Sequence, residues 1–151
     1  VAHVMYGIAL DAEGTPWIAG WSGHLWEFDV ATTTWIDHGG TDGGPSRLRG
    51  LAIDGDGSAW VAGNNPCALV RYDTQSDTMV DGAIALPGCA TPVGVSIDVD
   101  GMVWVVDKDA DKAFKVDPTD NSVTTVENLI DPYTYSDMTG AGLGLVVNPP
   151  E

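Results

Sequence analysis

Side chains able to do chemistry are few in this sequence and unevenly spread. Asp107, Asp109 and Asp111 alternate like the opening of a calcium loop, where alternate carboxylates converge on one hard cation. Lys112 stands where such a loop needs glycine, and no glutamate occupies the twelfth place, so a polar hairpin tip neutralised by Lys108 and Lys112 is the plainer alternative. Arg47 and Arg49 are two of the three arginines. A guanidinium pair can hold a carboxylate or phosphate group, or can simply neutralise Asp42 and the general acidity. Cys67 and Cys89 are the only cysteines. No histidine-rich spacing accompanies them, so a loop-clamping disulfide is expected over a metal or nucleophile site, with reduced buried thiols as the alternative. His3, His24 and His38 could form a zinc or acid–base site, but their spacing matches no ligand motif. Trp21, beside Ser22 and Gly23, offers an indole for stacking on a sugar or partner. Tyr133 and Tyr135 could line a channel or pack within a strand. No Ser-His-Asp order, nucleophile elbow or CxxC pair occurs, and Gly39-Gly40 and Gly43-Gly44 precede no Lys-Ser/Thr.

The elements that position these residues follow from a repeat. Gly7-Ile8-Ala9-Leu10-Asp11 with Trp17, Gly50-Leu51-Ala52-Ile53-Asp54 with Trp60, and Gly94-Val95-Ser96-Ile97-Asp98 with Trp104 superimpose at spacings of 43 and 44 residues. A second landmark recurs in step: Phe28-Asp29, Tyr72-Asp73 and Val116-Asp117. Each unit contains four β segments divided by turn signals, in the first unit about residues 6–10, 17–19, 25–28 and 34–37. Four strands recurring every ~40–45 residues describe a β-propeller blade. The small residues Gly7 and Ala9 alternate with Ile8 and Leu10, as crowded inner strands require. The expectation is an all-β chain. Residues 1–151 form a single partial propeller with blades at about 6–44, 48–90 and 92–130 and part of a fourth at 133–148. It would belong to a six- or seven-bladed ring.

Propeller topology sorts the loops. The b–c turns (20–24, 64–67, 107–111) and d–a connections (38–47, 89–92, 127–133) share one rim, which therefore collects the unusual residues. The Asp-Gly pieces at 54–57 and 98–101 fall on the opposite rim, where they supply turn geometry. Trp17, Trp60 and Trp104 repeat with the blade and are packing residues; Trp26 and Trp35 suit interblade or edge packing.

With these motifs, the repeat resembles the secreted and cell-surface propellers related to virginiamycin B lyase and, more loosely, the NHL-repeat and gluconolactonase-like propellers. The resemblance implies the blade. Where lyase-type repeats commonly carry a Thr-Glu pair after the strand-b aromatic, this chain has Ala19-Gly20, Ala62-Gly63 and Val106-Asp107, and the lyase's catalytic histidine and metal-site carboxylates match no motif here.

Lys and Arg number 6 against 22 Asp and Glu, a formal charge of −16. That excludes nucleic acid, whose phosphates must be met by basic residues, and disfavours anionic membrane surfaces. No apolar run is long enough for a spanning helix. The leading expectation is an extracellular, cell-surface or periplasmic binding or scaffold module with a protein or glycan on the first rim. One alternative is a lyase- or lactonase-type enzyme with calcium or another divalent cation at the channel. Another is a half-propeller that self-assembles into a closed ring. Three and a half blades expose two apolar faces, so remaining blades or a second copy of the chain are expected to cover them.

Overall fold

The computed structural model describes residues 4–135 and Met138. Twelve strands form three antiparallel four-stranded sheets, each in sequential order. The first sheet holds β1 (Met5–Leu10), β2 (Pro16–Gly20), β3 (His24–Asp29) and β4 (Thr34–Gly40). The second holds β5 (Arg47–Ile53), β6 (Ser58–Asn64), β7 (Ala68–Asp73) and β8 (Thr78–Ile84). The third holds β9 (Pro92–Ile97), β10 (Val103–Asp107), β11 (Lys112–Val116) and β12 (Val123–Val126). β1 packs on β5 and β5 on β9, so the first strand of every sheet faces a common axis. These are propeller blades. Most of the expected fourth unit, together with His3, lies outside the described residues.

The repeated aspartate explains why each a–b turn forms. Asp11 Oδ1 accepts the amides of Glu13 and Thr15 at 3.1 and 2.8 Å, and its Oδ2 accepts the Trp17 indole N–H at 3.0 Å. Asp54 and Asp98 repeat the pattern with Trp60 and Trp104, both at 2.8 Å. The glycine three residues on from each aspartate has φ of +80° to +83°, a conformation that costs any residue with a Cβ. One carboxylate thus closes the turn and fixes the indole that fills the blade interface. The Asp29, Asp73 and Asp117 carboxylates cap the c–d turns in the same way, each accepting an amide two residues on.

Two cores lie between blades. Trp17, Ala19 and Leu25 of blade one meet Leu51, Ile53, Val61 and Val70 of blade two. Trp60, Ala62 and Leu69 of blade two meet Val95, Val105 and Phe114 of blade three. Each fully buried aliphatic side chain contributes roughly 1.5–3 kcal/mol. The small residues of strand a permit close approach, since a Cβ on Gly7 would stand 2.3 Å from the Arg49 carbonyl oxygen. The opposite face of blade one has no such cover among the described residues. Ile8 is 50% exposed where its repeat equivalents Leu51 and Val95 are 3% and 0%; Leu10 is 46% exposed where Ile53 and Ile97 are 8% and 3%. At the other end, Thr134 and Met138 lie against Gly94 of blade three.

Candidate functional site

Three sets of repeat-equivalent positions converge at one end of the inner strands. Arg47 and Thr91 correspond to each other at the entry to strand a; Tyr6 and Arg49 correspond just before its glycine. Trp21, Asn64 and Lys108 correspond at the exit from strand b. The blade's hydrogen bonding holds them there: the Trp21 amide bonds the Val4 carbonyl at 2.8 Å, and the equivalent Lys108 amide bonds the Thr91 carbonyl at 3.2 Å. Scaffold residues repeat from blade to blade, whereas these neighbours differ in chemistry.

Their side chains form one cluster. The Trp21 and Tyr6 rings stack at 5.5 Å between centroids. The Arg49 guanidinium carbon lies 4.6 Å from the Trp21 ring centre and 5.3 Å from that of Tyr6, while the Arg47 carbon lies 5.3 Å from Trp21. Two guanidiniums thus share one indole, an attraction to the π face worth about 0.5–1 kcal/mol each at an exposed site. Arg49 donates through Nε to Asn64 Oδ1 at 3.2 Å and through one terminal nitrogen to the Tyr6 hydroxyl at 3.3 Å. Lys108 pairs with Asp109 at 2.8 Å. The Lys108 ammonium, and after it the Thr91 hydroxyl, hold the Asp109 carboxyl below its usual range, with Arg49 acting on it as a further charge. Tyr133 bonds Tyr6, and that hydrogen bond pushes the Tyr133 hydroxyl above its ordinary pKa. Tyr135 packs against Tyr133 with ring centres 4.7 Å apart, and both rings are exposed.

Trp21, Arg47, Arg49, Tyr133 and Tyr135 are therefore brought together, and Tyr6, Asn64, Lys108 and Asp109 complete the group. The signal that finds these additions is the repeat itself: they occupy the positions beside the strand-a glycine and after strand b where the three copies disagree. Trp21 is half-buried beneath the arginines, so its indole holds guanidiniums and is not the open platform for a sugar that its loop position suggests.

His24 does not join the group. Its Nδ1 lies 2.9 Å from Asp37 Oδ1 across the β3–β4 pair, and its ring stacks near Trp26. The His38 side chain is 8% exposed at the junction of blades one and two, its Nε2 3.1 Å from Glu27 and its Nδ1 2.6 Å from Asp77, with Trp17 stacked on the ring.

The Asp107, Asp109 and Asp111 carboxylates are not gathered around one point. Asp107 is wholly buried and turns inward. It accepts the amides of Ala90 (2.7 Å), Thr91 (2.9 Å), Asp109 (3.1 Å) and Ala110 (3.0 Å). Both of its oxygens serve backbone, which corrects the expectation of a calcium-loop opening here. Asp109 faces Lys108, and Asp111 is exposed at the hairpin tip with φ +52°. Cys67 and Cys89 are joined in a disulfide across 22 residues. They lie close to Asp107, the one group of candidate metal-ligating side chains among the described residues, but the bonded sulfurs are not thiolate ligands. The Ala90–Thr91 linker is thus tied to blade two by the disulfide beside it and to blade three by Asp107.

No known protein family matches this chain, and no curated protein does. Its structure is similar to that of a catalytically inactive virginiamycin B lyase from Staphylococcus aureus with Quinupristin: TM-score 0.71 and 16% identity over 83% of this chain and 42% of that one. It is also similar to an auxiliary nutrient binding protein from Bacteroides thetaiotaomicron: TM-score 0.64 and 14% identity over 85% of this chain and 31% of that one. An extracellular domain of a B. thetaiotaomicron protein described as a one-component system matches with TM-score 0.62 and 20% identity over 83% of this chain and 18% of its own. At these identities the likeness establishes the β-propeller fold. The chain spans less than half the length of the lyases it matches.

Proposed function

We propose that this chain is part of an extracellular β-propeller binding module whose ligand sits on the rim of b–c turns and d–a connections, at the Tyr6, Trp21, Arg47, Arg49, Lys108 and Tyr133 cluster. One observation carries the reading: two of the six basic residues of a chain with net charge −16 share one indole, beside Lys108 and exposed tyrosine rings, at repeat positions that diverge from blade to blade. Packing explains residues that repeat; it does not explain these. Loops on a rigid scaffold are where binding residues concentrate. The disulfide supports an oxidising compartment, and similar structures include an extracellular domain and a nutrient binding protein.

The test is chemical-shift mapping of the labelled protein against soluble metabolite and glycan panels. Perturbations centred on Trp21, Asn64 and Lys108 support the rim. A ligand that instead perturbs the opposite rim, where Asp54, Asp98 and Asp117 line a cavity of about 600 Å³ with Arg71, would place binding on the other side and overturn the proposal.

A further inference from the structure

We infer that the rim site recognises a dianionic oxyanion group of the phosphate-monoester type; this rests on the rim being the binding site and adds what binds there. Charge bookkeeping around the cluster supplies the first argument. Lys108 is closed on Asp109 at 2.8 Å, which leaves two guanidinium charges. Elsewhere in the chain the bases have fixed tasks. Arg71 donates to Ser58 and the Pro118 carbonyl, Lys112 pairs with Glu127, and Lys115 pairs with Asp98. Arg47 is the exception. In a chain with 22 acidic residues it is exposed, is held on the Trp21 indole, and its side chain makes no hydrogen bond or ion pair among the described residues.

Donor geometry supplies the second argument. A guanidinium carries five N–H donors in its plane. The indole covers a face of each group, so the edges stay available. Arg47 has all five donors open among the described residues, and Arg49, with Nε and Nη1 committed, has its second terminal nitrogen open. Two cations over one ring repel each other, and a single dianion with three terminal oxygens discharges both while accepting from both edges. A monoanion neutralises only one. The chain is acidic overall, and among the described residues this is the place where two guanidiniums lie over one ring.

The experiment titrates the full chain with phenyl phosphate, phenyl sulfate, benzoate and phenyl β-glucoside, following the Trp21 indole and arginine N–H resonances. Phenyl phosphate at pH 7.5 is expected to bind at least about tenfold more tightly than phenyl sulfate or benzoate. The advantage should vanish at pH 5, because a phosphate monoester loses its second charge below about pH 6 while the sulfate does not titrate. Arg47→Ala should abolish the preference, and Arg47→Lys should keep the charge but lose most of the tightness. Equal affinity for the three anions, or a phosphate preference that survives Arg47→Ala, overturns the dianion assignment. Binding of the neutral glucoside at Trp21 without anion binding overturns it too while leaving the rim as the site. Silence at Trp21 from all four probes counts against both.

Discussion

Replacing Asp107 by alanine should destabilise the protein more than any other single change on the rim. The carboxylate is completely buried and accepts four backbone amides, two from the linker joining blades two and three and two from its own hairpin. A net hydrogen bond to a charged acceptor is worth about 1.5–3 kcal/mol, and a buried donor left unmade costs about 1–3 kcal/mol. Four such bonds do not add fully. Asp109 and Ala90 are exposed residues, so water can take over part of the lost bonding. The expected loss is about 3–4 kcal/mol, a large share of the ~5–15 kcal/mol that holds a domain folded. Asp107→Asn keeps one acceptor oxygen and turns an NH2 toward donors, so about 2 kcal/mol is expected. Guanidinium unfolding of both variants measures the loss, and hydrogen exchange at Ala90 and Thr91 locates it. A loss below about 1 kcal/mol for the alanine variant would refute the linker-anchor role. So would a calcium-specific rise in the wild-type midpoint that disappears in Asp107→Ala, because it would make this carboxylate a metal ligand.

Breaking the Cys67–Cys89 bridge by replacing both residues with serine should cost about 3 kcal/mol, given the 22-residue separation and the loop-entropy relation; an unchanged unfolding midpoint would contradict it. Leu51→Ala should cost about 2–5 kcal/mol, whereas Ile8→Ala at the equivalent but half-exposed position should cost under about 1 kcal/mol. A cost for Ile8→Ala as large as for Leu51→Ala, measured with sedimentation to follow association, would mean the open face is covered in solution. Asp77 is held below its usual pKa by the Tyr72 hydroxyl and then by His38. A depressed folded-state value gives stability that is present above the unfolded value near 3.9 and is lost as pH falls through the folded one. Asp77→Asn should therefore flatten the acid limb of the stability curve below about pH 4, and an acid limb identical to wild type would exclude this contribution.

The blades were legible because the repeat carries its own geometry. In Asp11, Asp54 and Asp98 a carboxylate meets two nearby amides and an indole six residues on, so the spacing of Asp, Gly and Trp encodes the turn directly. Strands β1 to β4 accordingly fall within a few residues of where the sequence pattern puts them. Arg47, Arg49 and Trp21 were legible as rim residues for the same reason. Asp107 was not. Its partners Ala90 and Thr91 come from a linker 17 and 16 residues earlier, and alternate aspartates look alike whether they face a cation or fold back onto amides. Tyr6 and Asn64 passed unnoticed because they matter through contacts with Arg49, Tyr6 from the neighbouring blade and Asn64 from the next strand, and neither residue type by itself marks a site.

The strand-c position facing the next blade shows how one geometry accommodates different chemistry. Glu27, Arg71 and Lys115 are repeat equivalents. At the first junction Glu27 reaches His38, which passes the contact to Asp77 in the c–d turn of blade two. At the second, Arg71 stacks over Trp60 and donates directly to the Pro118 carbonyl in the c–d turn of blade three at 2.7 Å. Lys115 stacks over Trp104 and turns back to Asp98 at 3.4 Å. The receiving atom decides which residue serves. A carbonyl accepts from a guanidinium directly, whereas the Glu27 and Asp77 carboxylates are spanned by an imidazole that turns one ring nitrogen toward each. The invariant part of the junction is the tryptophan fixed by its aspartate. The variable part is a polar latch fitted to the turn it meets, and that separation lets the three copies of one repeat diverge at their junctions and on the rim while the cores between them stay packed.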